Sequence, residues 1–210
     1  MKASMKWAFV LGFLGFATSF KTLMPWFLII VINMFFVGIL FGFLPVRIHA
    51  LGYNPFNTGL ILSVTTLSYL VIQPVAGWHA DKFNQVLILR GGMLLSILST
   101  AAIPFVTGPF LIITCIITCI IAGIGIGVVW TNTDTLVSNL ANENVMGATM
   151  GPAGSFKELG DMLGPLLMGV MSQALGLQWG FVICAVLGGI ALLVTIMVAE
   201  KPKKLQYPRP

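Results

Sequence analysis

An all-α membrane protein with six transmembrane helices is the fold class this sequence predicts, on three observations. Five stretches of about twenty apolar residues fill most of the 210-residue chain, with a weaker sixth between the fourth and fifth. Hydrophobic residues make up 58% of the chain and charged residues 8%, a balance that a water-soluble core cannot hold without exposing apolar surface. The basic residues gather at the ends of the stretches, where lipid headgroups would lie.

Residues 1–21 read as a cytoplasmic or interfacial segment. Within it, Trp7 to Phe20 is short for a crossing. It fits a surface-lying segment, the remnant of a longer upstream span, or a signal peptide with small residues at Ala17 to Ser19, whose cleavage would leave Lys21 outside. The sequence leaves these readings open. Residues 22–199 form the six-span domain. Its spans are Pro25 to Leu44, Thr58 to Trp78, Val86 to Val106, Phe110 to Trp130, the weak Gly147 to Leu175, and Trp179 to Ala199. As helices rising 1.5 Å per residue, each can cross a hydrocarbon core of about 30 Å. Pro74 and Pro104 are expected to bend spans two and three. Residues 200–210 are charged and Pro-rich, as expected of a disordered cytoplasmic tail.

The net charge of +5 points to anionic lipid headgroups rather than nucleic acid. With six spans, Lys2, Lys6, Lys21, Lys82, Lys201, Lys203, Lys204 and Arg209 share one side, and Arg47 and His49 lie opposite. The positive-inside rule then places both termini in the cytoplasm, with the chain in the plasma or bacterial inner membrane. Cys115, Cys119 and Cys184 all fall inside spans and read as small apolar residues. No metal site and no cofactor is expected.

Span five carries the charges. Lys157, Glu158 and Asp161 fall about 15 Å into it if the helix begins near Gly147. The spacing puts Lys157 and Asp161 one turn apart, with Glu158 within roughly 100° of both. Ionisable groups at such depth cost about 3 kcal/mol or more each, and they line a wet cavity or pair with one another. A pair between Lys157 and Asp161 that merely tolerates burial would leave Glu158 unneutralised. The trio therefore reads as a candidate for proton coupling or substrate binding. Gly160 with Gly164, and Gly123 with Gly127, are spaced for close helix packing, with Pro165 beside them. Asn33 and Gln73 are expected to make interhelical hydrogen bonds, with substrate contact as the minority outcome.

The turn from Gly77 to Gln85 resembles the signature loop of the major facilitator superfamily at Gly77, Asp81 and Lys82. Asn84 stands where that pattern has glycine, and Gln85 and Val86 replace its basic pair. Gly147, Gly151, Phe156 to Gly160 and the pair Gly164 and Pro165 resemble the fifth span of a superfamily half. The likeness covers about Pro25 to Ala199 and is strongest to the second, C-terminal half. It implies a bundle of two inverted three-helix repeats forming one half of a transporter. It also implies that Asp81 fastens neighbouring helices on the cytoplasmic side, where the N-terminus of span five near Gly147 would attract it. Arg90 would snorkel to the surface or join Asp81.

The resemblance implies movement of a small solute by alternating access, with Glu158 and Asp161 as proton carriers and Lys157 neutralising Asp161 or holding an anion. A lone half would need a copy of itself or a separate six-span partner. A non-transporting scaffold or regulatory subunit, or an inactive truncated transporter, are the alternatives. An enzyme is not expected. Glu158-Leu159-Gly160-Asp161 resembles the Gly-x-Gly-Asp of intramembrane proteases but lacks its first glycine.

Overall fold

The computed structural model describes residues 2–107, 111–141 and 146–198, with side chains from Leu23 onward apart from Leu111, Ala148 and Val198. Six helices follow one another: α1 (Lys2–Ala50), α2 (Pro55–Lys82), α3 (Gln85–Ala102), α4 (Leu111–Leu140), α5 (Met146–Leu175) and α6 (Leu177–Val198). A single 3-10 turn, Ile103–Phe105, follows α3. All but α5 hold a stretch long and apolar enough to cross a membrane. At 30 residues α5 matches the others in length, and its glycines and charges account for its lower apolarity.

Helix α1 packs along α5, α4 packs along α2, and α3 meets α6. Exchanging α1–α3 with α4–α6 preserves these three pairings, as two inverted three-helix repeats require, while α3 also packs along α4 much more extensively than α6 packs on α1. The core lies in two layers along the bundle axis. One gathers Phe36, Ile39, Leu40, Cys119, Met168 and Phe181; the other gathers Trp26, Phe27, Leu89, Met93, Val129 and Ala191. Asn33 lies between them in sequence and is 4% exposed. Its Nδ2 donates to the carbonyl of Ile126 at 3.4 Å, which ties α1 to α4 at the waist.

Short connections are set by local chemistry. Gly176 alone separates α5 from α6, at φ +92°, a left-handed conformation that glycine adopts without a Cβ penalty. This places two helices in the long apolar block after Met162. Asn54 caps α2 by accepting from the Asn57 N–H at 3.0 Å, with Pro55 in the first turn. Asn84 caps α3 by accepting from the N–H groups of Val86 and Leu87.

Two expectations are corrected. The signature turn is mostly helix: Gly77, Asp81 and Lys82 belong to the last turns of α2, Arg90 belongs to α3, and only Phe83 and Asn84 connect them. The cap that Asn84 provides allows α3 to begin at once, which accounts for an asparagine in that position. Pro104 does not bend α3. It lies in the 3-10 turn just beyond the helix, because it lacks the N–H needed to continue the ladder. Backbone helix runs unbroken through residues 2–22 as part of the 49-residue α1. The expected tail at 200–210 lies outside the described residues.

Candidate functional site

Polar residues in an apolar helix must find partners, and α4 shows how. Asn132 Nδ2 donates to the Val128 carbonyl at 2.8 Å and Thr135 Oγ1 to that of Thr131 at 2.9 Å. Thr133 makes the same back-bond to Val129. These internal bonds let the polar stretch after Trp130 stay helical to Leu140. Asp134 is therefore inside α4, four residues past Trp130, where the apolar stretch ends.

Asp134 is the partner of Lys157. The Lys157 ammonium stands 2.7 Å from Asp134 Oδ2, with side chains 22% and 30% exposed respectively. The same ammonium lies 5.1 Å from the centroid of the Trp130 ring, one helical turn before Asp134 on α4. Tyr69 of α2 stacks on Trp130, with centroids 6.2 Å apart and planes within 3° of parallel. Carboxylate and π-face thus hold one cation between helices that touch each other sparingly. Asp134 Oδ1 is buried and has no partner among the described residues.

The expected pair between Lys157 and Asp161 is not formed. A lysine preceding its acid by four residues is the weaker orientation on a helix, because the opposite order complements the helix dipole. Lys157 turns to α4 instead, and Asp161 and Glu158 stay exposed near the middle of α5. Only part of the trio is therefore engaged within the bundle.

The glycines lie where helices approach most closely. A Cβ on Gly160 would strike the Val31 carbonyl, and one on Gly164 the Phe35 carbonyl, both on α1. A Cβ on Gly38 of α1 would stand 2.6 Å from the Asp161 carbonyl oxygen and 2.7 Å from Pro165. On the other seam, Gly123 and Gly127 would each place a Cβ 2.5 Å from a carbonyl of α2, Thr65 and Tyr69 respectively. Such contact allows backbone-to-backbone packing without any hydrophobic drive, as lipid surroundings demand.

The residues of the signature turn separate. Arg90 does not join Asp81: its guanidinium donates to the Thr195 carbonyl of α6 at 3.1 Å. Asp81 is exposed, and α2 packs mainly on α4 rather than on α5, so the expected contact near Gly147 is not brought about. Lys82 lies 3.7 Å over the Trp78 ring, and a Cβ added at Gly77 would only reach ordinary contact with Thr131 of α4. Gln73 is half-buried on α2. At the other end Arg47 is buried and donates to the Pro104 carbonyl at 2.9 Å.

Sequence reading missed Asp134, Trp130 and Tyr69. The signal available was the four-residue spacing of Trp130 and Asp134, which puts ring and carboxylate on one helix face.

The family model described as Major Facilitator Superfamily matches residues 26–210. An "MFS-type transporter ppzB" of Metarhizium rileyi is 27% identical over 135 residues, covering 64% of this chain and 27% of its own length. A "Quinolone resistance protein NorA" of Staphylococcus aureus is 26% identical over 168 residues, covering 80% of this chain and 42% of its own. The chain thus spans less than half the length of these relatives.

Proposed function

The chain belongs to the Major Facilitator Superfamily, and from that premise we propose that it acts as a six-span half of a secondary transporter moving a small solute by alternating access. Family and apolar helices make it a multi-pass membrane protein. One observation carries the finer reading. Glu158 and Asp161 are exposed near the middle of α5, at a depth where lipid contact is costly. That face is accommodated if it borders an aqueous crevice shared with a second six-span bundle, either another copy of this chain or a partner half.

Within that crevice Glu158 and Asp161 are the proton carriers, and rocking of one bundle against the other exposes them to each side in turn. The cytoplasmic membrane, with both termini inside, is the setting that the charge distribution supports. The likeness to quinolone resistance proteins favours export of a small organic solute. In vesicles carrying the chain with its second half, Glu158→Gln combined with Asp161→Asn is expected to abolish transport driven by a pH gradient while leaving assembly intact. Undiminished transport would remove both residues from the mechanism.

A further inference from the structure

Lys157 is a butylammonium group on a tether. Its nitrogen meets a carboxylate oxygen at 2.7 Å and the face of an indole at 5.1 Å, the two chemical features that together recognise an organic ammonium ion. Tyr69 lies parallel to that indole and holds its plane from the α2 side. The second oxygen of Asp134 is buried without a partner among the described residues, so the carboxylate retains acceptor capacity that Lys157 does not use. The ammonium reaches this place from α5, a helix that meets α4 at few other points.

We propose that Asp134, Trp130 and Tyr69 form a binding site for solutes bearing a primary alkylammonium group, and that Lys157 is its built-in competitor. An arriving alkylammonium takes over the Asp134 carboxylate and the Trp130 face, and Lys157 swings out. Asp161, exposed one turn further along α5, then receives the displaced lysine, so neither charge is stranded. The two arrangements differ only in which cation Asp134 holds. The proposal deepens the transport reading and rests on it for its purpose, while the site itself is tested by binding alone.

The experiment titrates the purified full-length chain in detergent with n-butylammonium chloride and follows binding by calorimetry. A tethered ligand acts at millimolar effective concentration, so Lys157→Ala should bind the probe about tenfold more tightly than the unmodified chain. Adding Asp134→Asn to that variant should abolish binding. Asp161→Asn in the otherwise unmodified chain should weaken it, because the displaced lysine loses its second partner. If Lys157→Ala does not fold, Lys157→Gln keeps most of the stem, removes the charge and carries the same comparison.

Equal affinity in the lysine variant and the unmodified chain would overturn the proposal, as would binding that survives Asp134→Asn. It would then leave a fixed ion pair that only braces α5 against α4. Transport of other solutes without any butylammonium binding would sink this site and spare the transport reading. Butylammonium binding without transport would do the reverse.

Discussion

The two glycine seams of the bundle use one device in two settings. Along α1 and α5, Gly160 and Gly164 meet the carbonyls of Val31 and Phe35; along α2 and α4, Gly123 and Gly127 meet those of Thr65 and Tyr69. Each pair of glycines is spaced by four, and so is each pair of carbonyls. The surroundings differ. In the apolar window of α1, 61% of residues are buried, against 17% in that of α2. Each seam therefore hangs an edge helix on an inner one, α5 on α1 and α2 on α4, but α5 also rests on α6, whereas α2 rests on α4 almost alone. Close backbone contact does not by itself fix how rigid a seam is; what flanks it does.

The largest effect should come from forcing a side chain into the seam of α1 with α5. Gly164→Val would drive branched carbons into the α1 backbone, where α4, α5 and α6 all hold α1 in place. Overpacking of this kind costs typically about 1 to 3 kcal/mol and sometimes more, and the upper end is expected here. Gly123→Val on the seam of α2 with α4 should cost clearly less, because α2 has no second helix holding it as α6 holds α5, and it can move away. Thermal unfolding of the two variants in the same detergent checks this. Equal losses would mean that α2 is clamped as firmly as α1.

A middle-sized effect is expected where a charge pair spans the two seams. Lys157 comes from α5 and Asp134 from α4. Lys157→Ala or Asp134→Ala leaves a half-buried charge without its partner, a loss of about 1 kcal/mol given the pair's partial exposure. The double variant should cost less than the sum of the two. Simple additivity in unfolding measurements would show that the pair contributes no coupling between α4 and α5.

The spans were legible because bilayer thickness dictates length, and length with apolarity can be counted along the chain. The glycine spacings were legible for a similar reason, since a four-residue repeat fixes one helix face. The pairing of Lys157 was not. Spacing on α5 offered Asp161, whereas the true partner comes from α4, and only the packed bundle brings that helix alongside. Asp134 was further hidden by its neighbours, because Asn132, Thr133 and Thr135 look like a loop until their back-bonds to the helix are seen. Asn84 was read as a lapse from the signature pattern, and Arg90 as a snorkelling cation or a partner of Asp81, because a cap and a carbonyl 105 positions away leave no mark in local composition.

The smallest effect concerns how the edge helix is kept. With so little burial, α2 depends on its ends more than α1 does, and its N-terminus is held by the Asn54 side chain accepting from Asn57 N–H at 3.0 Å. Asn54→Ala removes that acceptor, a loss of about 1 kcal/mol by the usual worth of such caps, and Asn54→Gly only a few tenths. Because α2 is the loosely held member, the loss should appear as local opening rather than as a shift of the whole bundle. Amide hydrogen exchange is the discriminating measurement: protection should fall in the first turns of α2 and stay unchanged along α1 and α5. A uniform fall across all three helices would mean that α2 opens only together with the rest, and the distinction between the two seams would have to be abandoned.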